Sequence, residues 1–185
     1  MSEQEHVASG SIDKVVYKGR RVDMALRSVK TTSGAMIERE IVVHPGAVII
    51  LPVLDDGRLV LIRNLRHTVL QWLWELPAGT LEPKEGPAKC AARELEEETG
   101  YRAGRVEPFG WFYTSPGILT EKMYAFVARE LTPGPQALED NETITVECLE
   151  PAKVLALIKN NEIVDGKTIA VVLKYLAETG NIKGL

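Results

Sequence analysis

Three glutamates, Glu94, Glu97 and Glu98, lie close together in one helix-compatible stretch and could assemble oxygen ligands for a cation. Each helical residue advances about 100°, so positions three and four apart share a face. With Glu94 as the reference, Glu97 falls roughly 60° to one side and Glu98 roughly 40° to the other. Ala88, Ala91, Ala92, Leu95 and Thr99 cluster on a different arc suited to packing on a sheet, and Glu96 points to water. Like charges at this spacing cost an isolated helix a few tenths of a kcal/mol per pair, and they sit at its C-terminal half, the unfavourable end of the dipole. A bound cation offsets both costs. Several carboxylates in a compact site suit Mg²⁺ or Mn²⁺, with waters and substrate phosphates completing the shell. Arg93, beside Glu94 and four residues before Glu97, is placed to orient the carboxylates. A solvated acidic helix face is the plain alternative; Gly79, Glu85, Arg93 and Gly100, all at defined distances from the cluster, argue against it.

The elements that must position this stripe follow from punctuation and periodicity. Pro87 suits the first turn of a helix and Gly100 its end, which predicts a helix over Pro87 to Thr99. Before it, Gly46 to Leu54 and Arg58 to Arg63 flank Asp55-Asp56-Gly57, a hairpin signal, and Pro52 marks an edge or a bulge. Trp74 to Pro77 lead into a loop at Ala78-Gly79. Strands are expected at Arg105 to Phe112, Lys122 to Arg129 and Thr143 to Leu149, and closing helices at Pro151 to Asn160 and Lys167 to Thr179. Further upstream, Lys14 to Tyr17, Val22 to Ser28 and Ala35 to His44 read as three strands separated by turns. Residues 1–45 thus form a β-rich lobe, too small to be stable without packing on something, and 46–185 a second domain. Strands and helices alternate without a regular βαβ rhythm, so an α/β sandwich with a mixed sheet is expected rather than a Rossmann fold.

Composition bounds the function. The chain has 185 residues, 22 Lys+Arg against 26 Asp+Glu and a net charge of −4, which argues against a nucleic-acid binder that relies on a basic surface. Its two cysteines, Cys90 and Cys148, lack CxxC spacing and cannot build a zinc site alone. The start, MSEQEHVASG, has neither a basic nor an apolar leader region. The longest apolar run, Ala47 to Leu54, contains Pro52 and is too short to span a bilayer. A cytoplasmic protein that binds neither membrane nor nucleic acid is the expectation.

The segment Gly79-x5-Glu85-x7-Arg93-Glu94-Leu95-x-Glu97-Glu98-x-Gly100-Tyr101 resembles the Nudix box, G-x5-E-x7-R-E-U-x-E-E-x-G-U with U a bulky aliphatic. Its one departure is Tyr101 at the last aliphatic position, a packing site. The resemblance covers the body from about Gly46 onward and implies a Nudix-type α/β/α sandwich that uses a divalent metal to split a diphosphate linked to some moiety. Ser115-Pro116-Gly117 downstream of the box, and the β-rich lobe, resemble the ADP-ribose pyrophosphatase and nucleotide-sugar branch, in which the lobe forms an intertwined homodimer. Arg39-Glu40-Ile41 is similar to an Arg-Glu-Ile strand segment of that branch, and Arg66 matches an arginine that closes a strand before the box. Asp140-Asn141-Glu142-Thr143-Ile144 is similar to its catalytic loop, with Asp in place of Glu at the first position.

The resemblance implies Glu94, Glu98, Glu97 and the Ala78 carbonyl as metal ligands, with Glu85 orienting Arg93 or a metal-bound water. Arg93 and Glu97 belong to the catalytic set, and Glu142 or Asp140 is the candidate general base. Arg39, Arg66, Pro116 and Gly117 are the candidate substrate contacts, since guanidinium binds phosphate in a bidentate way. Trp72, Trp74, Trp111 and Tyr113 are expected in the core or an interface; Tyr17 is a weak candidate for stacking on a base, and His44 and His67 carry no assigned role. The leading expectation is hydrolysis of ADP-ribose or a related ADP-sugar to AMP and a sugar phosphate. Hydrolysis of another nucleotide sugar, such as GDP-mannose, is the alternative, and a non-catalytic nucleotide sensor is disfavoured by the intact carboxylates.

Overall fold

The computed structural model describes residues 12–180. The N-terminal decapeptide, read above for a leader, lies outside the described residues. The chain divides into two compact units, one formed by the residues up to Gly46 together with 113–122, the other by 47–112 and the residues from Met123 on.

In the first unit β1 (Ile12–Lys18), β2 (Asp23–Lys30) and β3 (Met36–Val43) form an antiparallel sheet in sequence order. The register sets Ala25 opposite Ile41 and Arg27 opposite Arg39. Thr31 and Gly34 close the β2–β3 turn, with the Thr31 N–H donating to Ala35 O at 2.8 Å. Residues 113–122 add to this lobe through Val42, whose N–H donates to Ile118 O at 2.8 Å and whose carbonyl accepts from the Thr120 N–H at 2.9 Å. Residues 46–185 are expected as one domain, and the excursion of 113–122 into the lobe is a departure from that expectation.

The second unit contains β4 (Ala47–Pro52), β5 (Leu59–Arg66), β6 (Gln71–Glu75), β7 (Ala78–Thr80), α1 (Pro87–Thr99), β8 (Tyr101–Tyr113), β9 (Lys122–Pro133), β10 (Ile144–Leu149), α2 (Pro151–Lys159) and α3 (Gly166–Glu178). A four-stranded sheet runs β7-β4-β9-β8, and it is mixed because β4 pairs parallel to β9 and antiparallel to β7. A three-stranded sheet runs β10-β5-β6. Strand β4 is buried on both faces, and its alternation sorts two cores. Val48 and Ile50 pack with Cys90, Ala91 and Leu95 of α1. Ala47, Ile49 and Leu51 pack with Val154 and Leu157 of α2 and with Val171, Val172 and Leu176 of α3. Helices on opposite faces of a mixed sheet make this unit the expected α/β/α sandwich.

Several details differ from the sequence reading. Ala78-Gly79 is not a loop: residues 78–80 form β7, paired with Ala47 to Ile49. Gln71–Glu75 is a strand that the reading missed, antiparallel to β5. Asp55-Asp56-Gly57 does make a tight turn, with the Leu54 N–H donating to Arg58 O at 2.9 Å. Its strands nevertheless go to different sheets and share only the Val53–Leu59 bridge, because each finds a longer partner elsewhere. Pro52 ends β4 where β9 still pairs and β7 no longer does, which is the edge position a missing N–H requires. Of the core or interface expected for Trp72, Trp111 and Tyr113, only the core is overturned: they are 43%, 55% and 50% exposed in the single chain.

Candidate active site

Helix α1 begins with Pro87 in its first turn, after Gly86, and ends at Gly100 in the left-handed region (φ 75°). The buried arc of the helix is Cys90, Ala91, Glu94, Leu95, Glu98 and Thr99. Ala88 and Ala92, expected on that arc, are exposed instead. Glu94 and Glu98 therefore lie within the covered face rather than beside it, because β7 crosses over them. Glu96 does not simply face water; its carboxylate pairs with Arg102, accepting from Nε at 2.7 Å.

The β7 backbone is fitted to these two carboxylates. The Ala78 N–H donates to Glu98 Oε2 at 2.9 Å. A Cβ at Gly79 would lie 1.9 Å from Glu94 Cδ and 2.0 and 2.3 Å from its oxygens, so only glycine leaves room for that carboxylate. Arg93 gathers the other acids. Its Nε and Nη2 make a bidentate pair with Glu85 at 3.1 and 3.0 Å, and its Nη1 lies 2.8 Å from both Glu94 Oε1 and Glu97 Oε2. Glu94 and Glu97 thus converge on Arg93 while Glu98 turns to the Ala78 N–H, and among the described residues no group of three acidic, His or Cys side chains is already arranged to hold a metal ion.

Charge states follow from this arrangement. Burial pushes the Glu94 carboxyl up to about 7 against the pull of Arg93, with the Glu97 and Glu142 charges adding to the rise. Burial likewise pushes Glu98 up to about 8, opposed by the Ala78 N–H and reinforced by Glu94 and Glu142. Glu85 is held at about 2, chiefly by its hydrogen bonds from Arg93. Glu142, the half-buried end of the 139–142 turn, accepts from the Glu139 N–H at 3.0 Å and is close enough to act on both buried glutamates. Asp140, in the same turn, is exposed.

Two supports of the site escaped the sequence reading. Glu75 is fully buried and accepts from Arg66 Nε and Nη2 at 2.7 and 2.5 Å and from Lys167 Nζ at 2.8 Å. Arg66, expected at the substrate, thus gives two of its nitrogens to Glu75. Thr168 of α3 accepts from the Leu76 N–H at 2.9 Å, and the Ile50 N–H donates to Pro77 O at 2.9 Å. Together they pin the backbone that enters β7. At the other end, Gln136 Nε2 donates to Glu98 O at 2.6 Å and the Ala137 N–H to Glu97 O at 2.9 Å, capping the last carbonyls of α1 with the segment that leads to Glu142. Their partners lie 92 and 38 residues away in sequence, beyond any local signal.

The remaining candidates sit in the lobe. Arg39 and Gly117 line one cavity of about 360 Å³, and Pro116 and Gly117 line another of about 330 Å³. The structure brings these three residues together in the first unit and gathers Ala78, Glu94, Glu98 and Glu142 in the second.

A mixed sheet flanked by helices, with paired acids of one helix held under a glycine-bearing strand, defines a class of protein that comparison then identifies. Residues 43–171 match the NUDIX domain, and the chain belongs to that family; by class it is a Nudix hydrolase. It is 38% identical to the ADP-ribose pyrophosphatase of Bacillus subtilis (strain 168), over 87% of this chain and 88% of that one. It is also 38% identical to a GDP-mannose pyrophosphatase of Citrobacter koseri, over 71% of this chain and 72% of the relative. A crystal structure described as an ADP compounds hydrolase superposes with a TM-score of 0.80 at 21% identity, over 95% of this chain and 98% of that one, which shows the shared fold.

Proposed function

We propose that this chain is a Mg²⁺- or Mn²⁺-dependent hydrolase that splits the diphosphate of ADP-ribose or a related ADP-sugar with water, giving AMP and a sugar phosphate. The observation that carries this reading is the fit of Gly79 and Ala78 to the two buried carboxylates, Glu94 and Glu98. Its substrate class draws support from the kinship with the Bacillus subtilis enzyme.

The donor set fits a hard divalent cation. It is all oxygen, and two of its members are acids whose burial makes them costly to ionise without a counter-charge. Glu94, Glu98 and Glu97, with the Ala78 carbonyl, would hold the ion. When bound, it supplies neutralisation of the diphosphate and a water of lowered pKa. Arg93 orients Glu94 and Glu97, and Glu85 fixes Arg93. Glu142 is the general base of this reading, since its charge acts on both buried acids, with Asp140 as the second candidate from the same turn. Arg39, Pro116 and Gly117 bind substrate, and Arg66 adds a cation whose orientation Glu75 sets.

We further infer a homodimer: the lobe exposes Val15, Val16, Tyr17, Met24 and Met36, apolar surface that a second copy would cover. A cytoplasmic location accords with two free cysteines; among the described residues no helix is long and apolar enough to cross a membrane. The similarity to the Citrobacter koseri protein favours GDP-mannose as the second reading.

The test is a panel of nucleoside diphosphate derivatives and nucleoside triphosphates with Mg²⁺, scored for mononucleotide release. ADP-ribose is expected to be cleaved fastest, and Glu98→Gln to lower that rate by about 100-fold or more with the fold retained. Preference for GDP-mannose selects the second reading, and preference for triphosphates overturns both. Light scattering that finds a fully active monomer removes the dimer.

A further inference from the structure

We propose that Arg27 is an anion-binding residue, forming with Arg39 a two-guanidinium site in the lobe for the phosphate-bearing part of a nucleotide. The two arginines are direct partners across β2 and β3, so their side chains leave the same face of the sheet. Like charges placed directly opposite are unfavourable in an antiparallel pair. Among the described residues, no carboxylate stands within ion-pair distance of either one. Arg27 carries a second penalty, because its Nε is buried and has no hydrogen-bond partner. A sheet face that accepts both is completed by an anion.

The space for that anion is present. Arg27, Ile41, Tyr113, Pro116 and Gly117 line a cavity of about 330 Å³. Arg39 lines a second of about 360 Å³, and Gly117 and Ile118 border both. Gly117 puts no side chain into either cavity, so a ligand can reach its backbone. One forked guanidinium at each of two cavities that share Gly117 and Ile118 matches the paired oxygens of a phosphate or diphosphate. Glu38 and Glu40, the neighbours of Arg39 along β3, border the second cavity and favour a ligand with hydroxyls beside its phosphates, as in a ribose phosphate.

Anion binding by this pair stands by itself; its use for substrate rests on the hydrolase reading above. The experiment is calorimetry with ADP and with inorganic pyrophosphate, in chelator, on the full chain and its Arg27→Met and Arg27→Lys variants. Melting curves establish that each variant is folded, and Arg58→Met is the control for loss of an exposed charge elsewhere. Arg27→Met is expected to weaken both ligands about tenfold, Arg27→Lys by less, and Arg58→Met not at all. In turnover of the preferred nucleotide sugar, Arg27→Met should raise KM by a similar factor and leave kcat within about twofold. Unchanged affinity for both ligands in folded Arg27→Met overturns the proposal, as does a fall in kcat with binding intact. If Arg27-dependent binding persists while no nucleotide sugar is cleaved, the hydrolase reading fails and the anion site stands.

Discussion

Glu94 and Glu98 are one helical turn apart and chemically identical, yet the β7 backbone treats them differently, making room for one and donating to the other. That contrast separates activity from stability. In Gly79→Ala the new Cβ meets only the far end of a side chain, so Glu94 swings away and the fold holds. The expected result is a rate loss of about 100-fold, with stability changed by under about 1 kcal/mol, read by steady-state kinetics beside thermal melting. Glu75 shows the reverse balance. Burial alone would raise its carboxyl, but Arg66 and Lys167 outweigh burial and hold it below its ordinary 4.5. The unfolded chain therefore binds the proton more readily, and this contribution to stability is complete above about 4.5 and lost as pH falls through the lower folded value. Glu75→Gln should cost about 2–3 kcal/mol near neutrality, less than a fully enclosed pair because Arg66 keeps access to water. Denaturant melts should show the gap between variant and parent narrowing below pH 4.5. The acidic stripe and Arg93 were legible in sequence because helical spacing brings them together. The Glu75–Lys167 pair was not, since 92 residues separate its members and neither stands in a pattern.

At the scale of elements, α1 was readable to its last residue because Pro87 and Gly100 punctuate both ends. Gly100 is held there twice over: its φ of 75° suits glycine, and a Cβ would lie 2.3 Å from the Gly134 carbonyl oxygen. Gly100→Ala should therefore destabilise by more than about 2 kcal/mol, and it should also disturb turnover, because the displaced 134–137 segment caps Glu97 and Glu98. Urea titration alongside the kinetic assay checks both effects. Strands β6 and β7 were missed for a local reason. Each is short, Pro77 stands between them, and a three-residue strand carries no alternation to detect. The rotation of the buried arc on α1 was hidden for a different reason: an amphipathic reading assigns carboxylates to water, and here the strand laid over them decides otherwise.

For the whole molecule, a cation that binds only the folded chain must raise its stability. Mg²⁺ at about 100 times its dissociation constant should add about 2.7 kcal/mol, seen as a higher Tm that chelator reverses. Glu98→Gln should abolish the shift, and a shift of equal size in that variant would remove Glu98 from the ligand set. The sandwich was legible because β4 reads as a continuous apolar strand and the helices carry their own stops. The membership of 113–122 in the lobe was not, because it depends on a pairing between Val42 and Leu119 that neither sequence neighbourhood announces.

That same excursion orders events as the chain leaves the ribosome. The three lobe strands can pair soon after emergence, since each partner is the next strand along. The bonds that finish the lobe, such as the His44 N–H to Thr120 Oγ1 at 2.9 Å, span 76 residues. Closing so long a loop is slow, and it waits until residues 47–112 have been synthesised. Through that interval the β3 edge at Val42 lacks its final partner, so the nascent chain is most open to aggregation and chaperone capture before residue 122 appears.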